Sequence, residues 1–134
     1  MPIETLERLT AQTSNQMRTL LVEDEPLVRL MTEDILTSLG CVIVATAATL
    51  TQALTCIKTT EFDLAVLDIN LAGTEVYPAA ELLLSKGTPF IFVTGYGQRG
   101  VQSAWREFPI LQKPFISRQL EEAIGRFRPE RPST

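Results

Sequence analysis

Two short runs, Leu64-Ala65-Val66-Leu67 and Phe90-Ile91-Phe92-Val93, are apolar at every position. A strand that alternates apolar and polar residues can leave one face in water. A strand with no polar residue on either face must be covered on both. Strands of that kind belong in the middle of a parallel sheet with helices above and below it.

The rest of the chain supplies the frame. Strands are expected at about 18–22, 42–45, 62–67, 89–93 and 110–112. Between them the pattern turns helical. Pro26 suits a first turn, Gly40 suits a C-terminal cap, and Val28, Met31, Ile35 and Leu39 recur at helical spacing, which gives a helix over about 26–39. Thr49 is a fitting N-cap for a helix over about 50–58, with Leu50, Ala53, Leu54 and Ile57 as its stripe. A third helix is expected from Pro78 to Lys86, ended by Gly87. A last one begins after Ser117 and runs to about Phe127, with Leu120, Ile124 and Phe127 inward. Gly95, Gly97 and Gly100 loosen the stretch after the fourth strand, where only a short, weak helix over 101–106 is expected. Five strands alternating with helices imply right-handed crossovers and one α/β domain.

The chain of 134 residues suits a single domain. Residues 1–16 read as a leader, either frayed or a short helix with Ile3, Leu6 and Leu9 on one side. Residues 17–128 are the folded domain, and 129–134, with Pro129 and Pro132, an extended tail. A hydrophobic share of 45% and a charged share of 21% are ordinary for a globular protein. The net charge of −4 argues against direct nucleic-acid binding, which needs a basic face. Cys41 and Cys56 read as reduced thiols of a cytosolic protein. The longest apolar stretch, from Cys41 to Leu50, is too short to span a bilayer, and Glu4 and Glu7 spoil a signal-peptide reading. No membrane association is expected, and the setting is read as cytoplasmic.

The polar residues that end the apolar runs carry the chemistry. Glu23-Asp24 follows Leu20-Leu21-Val22, Asp68 and Thr94 follow the two apolar runs, and Lys113 follows Ile110-Leu111-Gln112. All five therefore fall at the C-terminal ends of parallel strands, the edge at which open α/β sheets bind ligands. Alone, an acidic pair or an Asp after a strand is most often a solvated turn. Together they form a set suited to a divalent metal and a phosphoryl group. Mg²⁺ takes hard oxygen ligands, and Asp24, Asp68 and the backbone carbonyl of Asn70 can supply them, with Glu23 acting through water. A carboxylate can also be the nucleophile and form an aspartyl phosphate. Lys113 and Thr94 then suit the charge on the transferred phosphoryl oxygens.

The pieces LLVEDE (20–25), LAVLDINLAG (64–73), FVTGYG (92–97) and LQKPF (111–115) resemble a response-regulator receiver domain of two-component signalling. The resemblance implies a flavodoxin-like (βα)₅ doubly wound fold with a five-stranded parallel sheet in the order 2-1-3-4-5. It makes Asp68 the phosphoacceptor, Glu23 and Asp24 the acidic metal pair, Thr94 the switch hydroxyl and Lys113 the phosphate-binding lysine. It also implies a cis peptide at Lys113-Pro114. The chain departs from the common pattern at Ala72, where a proline is usual, and at Ile110, where an aromatic is usual. The segment PFIFVTGYG (89–97) is similar to the signature of the FAT GUY single-domain receivers, linked to stress signalling in alphaproteobacteria, with Val93 in place of an alanine.

The expected function is that of a single-domain response regulator. It would accept phosphate on Asp68 from a sensor histidine kinase or a histidine phosphotransfer protein, since the 134 residues contain no histidine. It is read as a signalling module rather than an enzyme. Output is expected through a protein surface around residues 101–106, 110–112 and the last helix, or by draining phosphate from a shared kinase. With Ile110 unable to serve as a rotating aromatic, the switch is expected in the loop 95–100 and the weak helix after it, with phosphorylation ordering residues 95–106 and perturbing the face of the last helix, and with Tyr96 as the nearest aromatic. Two rivals use the same residues. One is a small phosphatase of the haloacid dehalogenase type, which needs a second Asp where Asn70 stands. The other is a degenerate receiver used as a scaffold. The G-x-G-x-x-G match over 95–100 follows the fourth strand and lacks the acidic partner that a dinucleotide site requires.

Overall fold

A computed structural model describes residues 16–127. The expected tail over 129–134, and the leader over 1–16 apart from Gln16, lie outside the described residues. The elements in chain order are β1 (Arg18–Val22), α1 (Pro26–Ser38), β2 (Val42–Ala47), α2 (Leu50–Thr59), β3 (Leu64–Asp68), β4 (Asn70–Leu71), β5 (Thr74–Glu75), α3 (Tyr77–Lys86), β6 (Phe90–Thr94), β7 (Ile110–Gln112) and α4 (Ser117–Gly125). Five strands form one parallel sheet in the order β2-β1-β3-β6-β7. With the short β4–β5 pair set aside, this is the expected flavodoxin-like order 2-1-3-4-5.

The unbroken apolar runs are explained by two separate cores. Leu20, Val22, Ala65, Leu67, Phe90 and Phe92 face α2 and α3 on one side of the sheet, where Ala53, Ile57, Ala80 and Leu83 close the layer. Leu21, Leu64, Val66, Ile91 and Val93 face the opposite way, onto Leu36 of α1 and Leu120 and Ile124 of α4. Successive strand residues point to opposite faces, so only an all-apolar strand can feed both cores.

Helix ends are set by the residues that the sequence suggested. Thr49 Oγ1 accepts from Gln52 N at 3.1 Å, while Gln52 Oε1 accepts from Ala48 N at 2.8 Å. Gly40 (φ 90°) and Gly87 (φ 71°) take left-handed conformations just beyond α1 and α3. One stripe differs from expectation. Met31 is 58% exposed, and α1 turns Thr32 and Leu36 inward instead. Thr32 is accommodated there because its hydroxyl donates to Val28 O at 2.8 Å.

Two crossovers depart from the expected pattern. The fourth, between β6 and β7, holds no α-helix, so the (βα)₅ pattern is one helix short among the described residues. It consists of 3₁₀ turns at Gly97–Gly100 and Ser103–Trp105. Glycines at 95, 97 and 100 weaken any helix, and Gln102 between the turns is extended (φ −59°, ψ 144°). The third crossover begins with an unexpected hairpin, β4–β5, in which Asn70 pairs with Glu75 and Leu71 with Thr74. Its two central residues, Ala72 (φ 53°) and Gly73 (φ 93°), both have positive φ, the signature of a type I′ turn. A proline ring fixes φ near −65°, so proline cannot stand at position 72 in this hairpin. Among the described residues no helix is long and apolar enough to cross a membrane.

Candidate functional site

The five side chains singled out in the sequence gather at one edge of the sheet because the strands that carry them are parallel and adjacent. Asp68 and Thr94 are the last residues of β3 and β6, and Glu23 directly follows β1. Register keeps them level: Val22 pairs with Leu67, and Asp68 with Val93. Lys113 follows β7, and its N–H donates to Thr94 O at 2.8 Å. The Lys113-Pro114 peptide is cis, as expected.

Glu23, Asp68 and Thr94 are buried and Asp24 is partly exposed. Carboxylate oxygens of Glu23, Asp24 and Asp68 lie within 4.8 Å of one another. The Lys113 ammonium stands between two of them, 2.6 Å from Glu23 Oε1 and 3.2 Å from Asp68 Oδ2. Glu23 is held further by Glu25 N, which donates to its Oε2 at 3.2 Å. Burial pushes the Asp68 carboxyl up to about 8. The hydrogen bond and the charge of Glu23 push the same way, against the opposing pull of Lys113. Burial works to lower the Lys113 ammonium, but Glu23 and Asp68 outweigh it and hold the pKa above its usual value. One cation among three carboxylates leaves an excess of negative charge. A divalent ion fits that excess, with Asp24 and Asp68 as the carboxylates and Glu23 already tied to Lys113.

Asp68 also borders a cavity of about 250 Å³ that it shares with Asn70, Gly73, Glu75, Thr94, Tyr96 and Gly100. Asn70 Oδ1 accepts from Gly73 N at 2.7 Å, so its side chain is committed to the hairpin and its carbonyl is the oxygen it can offer a metal. Thr94 Oγ1 accepts from Tyr96 N at 3.1 Å. Gly100 closes the wall tightly: a Cβ there would lie 2.6 Å from Thr94 Oγ1 and 2.9 Å from Tyr96 Cβ. This contact gives Gly100 a role at the Thr94 hydroxyl. It leaves the G-x-G-x-x-G spacing as a turn against Thr94, with a 3₁₀ turn where a dinucleotide site needs a helix.

Sequence reasoning missed Glu75, Gln102 and Tyr77. Gln102 Nε2 donates to Glu75 Oε1 at 3.3 Å and Gln102 N donates to Tyr77 Oη at 2.9 Å. These contacts join the segment after Thr94 to the segment after Asp68. Positive φ at both Ala72 and Gly73 turns the chain back so that Glu75 pairs with Asn70, and the alanine gives no sign of such a turn.

The model of the response regulator receiver domain matches residues 19–125. No curated protein matches the chain. Among solved structures, SdrG from Sphingomonas melonis Fr1 is 38% identical with a TM-score of 0.75, over 83% of this chain and 95% of that one. The BeF₃-activated conformation of SdrG from Pseudomonas melonis Fr1 is 40% identical with a TM-score of 0.71, over 81% of this chain and 92% of that one. The receiver domain of the PhyR response regulator from Erythrobacter litoralis is 32% identical with a TM-score of 0.74, over 89% of this chain and 97% of that one. With a family model covering most of its length and relatives of this similarity, the chain belongs to the response regulator receiver domains of two-component signalling.

Proposed function

We propose that this receiver accepts a phosphoryl group on Asp68 and signals through the segment that Thr94 controls. The observation that carries the reading is the Lys113 ammonium, held between buried Glu23 and Asp68, the latter bordering the cavity where a phosphoryl group would arrive. Asp68 Oδ attacks phosphorus, the bond from phosphorus to the donor breaks, and an aspartyl phosphate forms. Lys113 and the Thr94 hydroxyl meet the phosphoryl oxygens. Asp24, Asp68 and the Asn70 carbonyl, with Glu23 acting through water, would hold Mg²⁺, which would supply neutralising charge. The donor imidazole belongs outside these 134 residues, which contain no histidine, so a histidine kinase or a histidine phosphotransfer protein is the partner. A docking face is available on α1, where Leu27, Leu30 and Met31 share one side at 69%, 57% and 58% exposure, just after Glu23-Asp24. Relatedness to a receiver solved in a BeF₃-activated conformation supports the same reading. The free thiols Cys41 and Cys56 fit a reducing, cytoplasmic setting. The phosphatase alternative is disfavoured by Asn70, which cannot act as the second acid that such chemistry needs.

The test is intact mass after incubation with acetyl phosphate and Mg²⁺. Wild type should gain one acid-stable, hydroxylamine-labile phosphoryl group, and Asp68→Asn should gain none. Equal labelling of the variant refutes the assignment.

A further inference from the structure

The stretch 95–106 hangs from two hydroxyl groups that lie on different elements. At its start, Thr94 Oγ1 accepts from Tyr96 N at 3.1 Å. In its middle, Tyr77 Oη accepts from Gln102 N at 2.9 Å. Tyr77 is the first residue of α3 and is buried. Its ring stacks on Trp105, with centroids 5.7 Å apart and planes at 16°, and meets Phe92 edge-on at 6.0 Å. Trp105 is packed in turn against Phe90, Phe92 and Phe108. Gln102 is held a second time by Glu75, and its carbonyl accepts from Trp105 N at 2.9 Å. Tyr96, by contrast, is 75% exposed.

We infer that Tyr77 is the positioning residue that fixes one end of the responsive segment, so that a change at Thr94 turns residues 95–100 about a stationary Gln102–Trp105. The inference deepens the proposed function and rests on it for the trigger. Once the Thr94 hydroxyl donates to a phosphoryl oxygen, its own oxygen swings away and Tyr96 N–H loses its acceptor. Gly100 packs against both Thr94 and Tyr96, so it must follow them. The Tyr77 hydroxyl takes no part in the phosphoryl chemistry and has no reason to move. Its bond and the ring stack therefore survive the event that breaks the first tether. With both tethers made the segment is fixed, and with the first released and the second kept only residues 95–100 are free to rearrange. Release of one tether against a held second gives two defined arrangements.

Residue-resolved amide exchange, read with Trp105 emission, tests this. Trp105 is the only tryptophan in the chain. In wild type, phosphorylation should open the Tyr96 amide and leave the Gln102 amide protected, with Trp105 emission unchanged. Tyr77→Phe keeps the ring and removes only the acceptor. It should cut protection at Gln102 by about fivefold, one hydrogen bond's worth, and should make Trp105 emission sensitive to phosphorylation. Thr94→Ala removes the first acceptor with no phosphoryl group present, and should open Tyr96 while Gln102 stays closed. Gln102 opening together with Tyr96 in wild type or in Thr94→Ala overturns the inference, as does a Tyr77→Phe variant whose Gln102 amide matches wild type. Failure of Asp68 to gain phosphate would sink the proposed function, and the Thr94→Ala and resting Tyr77→Phe results would still decide the anchor.

Discussion

Asp68 and Thr94 both close a central strand, yet the crossovers that leave them are built in opposite ways. After Asp68 the chain forms a hairpin whose turn is set by its own backbone, then α3, which begins at Tyr77-Pro78 and ends on the left-handed Gly87. After Thr94 it forms two 3₁₀ turns separated by an extended Gln102. The first crossover is held by local terms: turn geometry, a proline in the first turn and a glycine cap. The second is held by groups from elsewhere, namely the Tyr77 hydroxyl, the Glu75 carboxylate and the aromatic layer around Trp105. A segment held from outside changes shape when an outside contact changes, whereas one held by its own backbone does not. The proposed phosphoacceptor therefore stands on the stiff crossover, and the hydroxyl proposed to respond to it on the adjustable one.

The contrast breaks first at Trp105. Truncating a buried tryptophan typically costs about 3–5 kcal/mol, and here the ring is also the main weight holding the fourth crossover to the sheet. Trp105→Ala should lower the urea midpoint accordingly and expose the amides of 101–106 before those of α3 in native-state exchange. Simultaneous loss of protection in both crossovers would mean that they form one cooperative unit, and the distinction drawn between them would fall.

Lys113 sharpens the chemical half of the comparison. Loss of a group that meets developing phosphoryl charge typically slows a reaction by about a hundredfold or more. Lys113→Ala should slow labelling by acetyl phosphate on that scale. It also leaves Glu23 and Asp68 facing each other with no cation between them, so Mg²⁺ affinity should hold or rise. A variant labelled at the wild-type rate, or one that mainly loses Mg²⁺, would reassign the residue.

The metal-free site sets a pH dependence with a definite sign. Asp68 has an ordinary value of 3.8 and is raised to about 8 in the folded domain. Between those values the folded state keeps a proton that the unfolded chain has released. The contribution of Asp68 to stability without metal is therefore full below about pH 4 and is lost as pH climbs to about 8. Mg²⁺ must displace that proton, so its affinity should rise through the same window. At a hundredfold excess over Kd it should add about 2.7 kcal/mol. Asp68→Asn should flatten the pH profile, and Asp24→Asn should weaken Mg²⁺ binding while making the metal-free domain more stable. Melting curves with and without Mg²⁺ across pH 4 to 8 read all of this, and a wild-type melt indifferent to Mg²⁺ would refute it.

The parts that were legible in the sequence are those governed by local rules. Unbroken apolar runs at 64–67 and 90–93 announced the central strands. Pro26, Gly40, Thr49 and Gly87 marked helix ends, and the polar residues closing each strand marked the site. The illegible parts depend on contacts between distant residues. Val101, Trp105 and Phe108 are spaced as a helix would space them. Even so, Gln102 gives its N–H to Tyr77, 25 positions away, and the helix is interrupted. Met31 reads as core by spacing, but Thr32 takes the inward place by bonding its hydroxyl to Val28 O. The β4–β5 hairpin escaped because Ala72 is a poor residue for its own turn.

That last mismatch offers the mildest and most local test. Ala72 has a φ of 53°, a conformation that disfavours a side chain with a Cβ by about 1–2 kcal/mol. Asn and Gly are the residues that type I′ turns favour. Ala72→Asn should therefore stabilise the domain by up to about 1 kcal/mol, after the entropy of fixing the new side chain is subtracted. Ala72→Pro restores the residue common in other receivers and should do the reverse, because the ring cannot reach positive φ and the Asn70–Glu75 pairing must open. Loss of that pairing also frees Glu75 from the place where it meets Gln102. A stiff crossover after Asp68 thus requires that Ala72→Pro disturb the side-chain amide of Gln102, 30 residues on, while Ala72→Asn leaves it alone. If both variants melt like wild type, the hairpin is not what holds this loop, and the stiffness assigned to the first crossover must come from α3 alone.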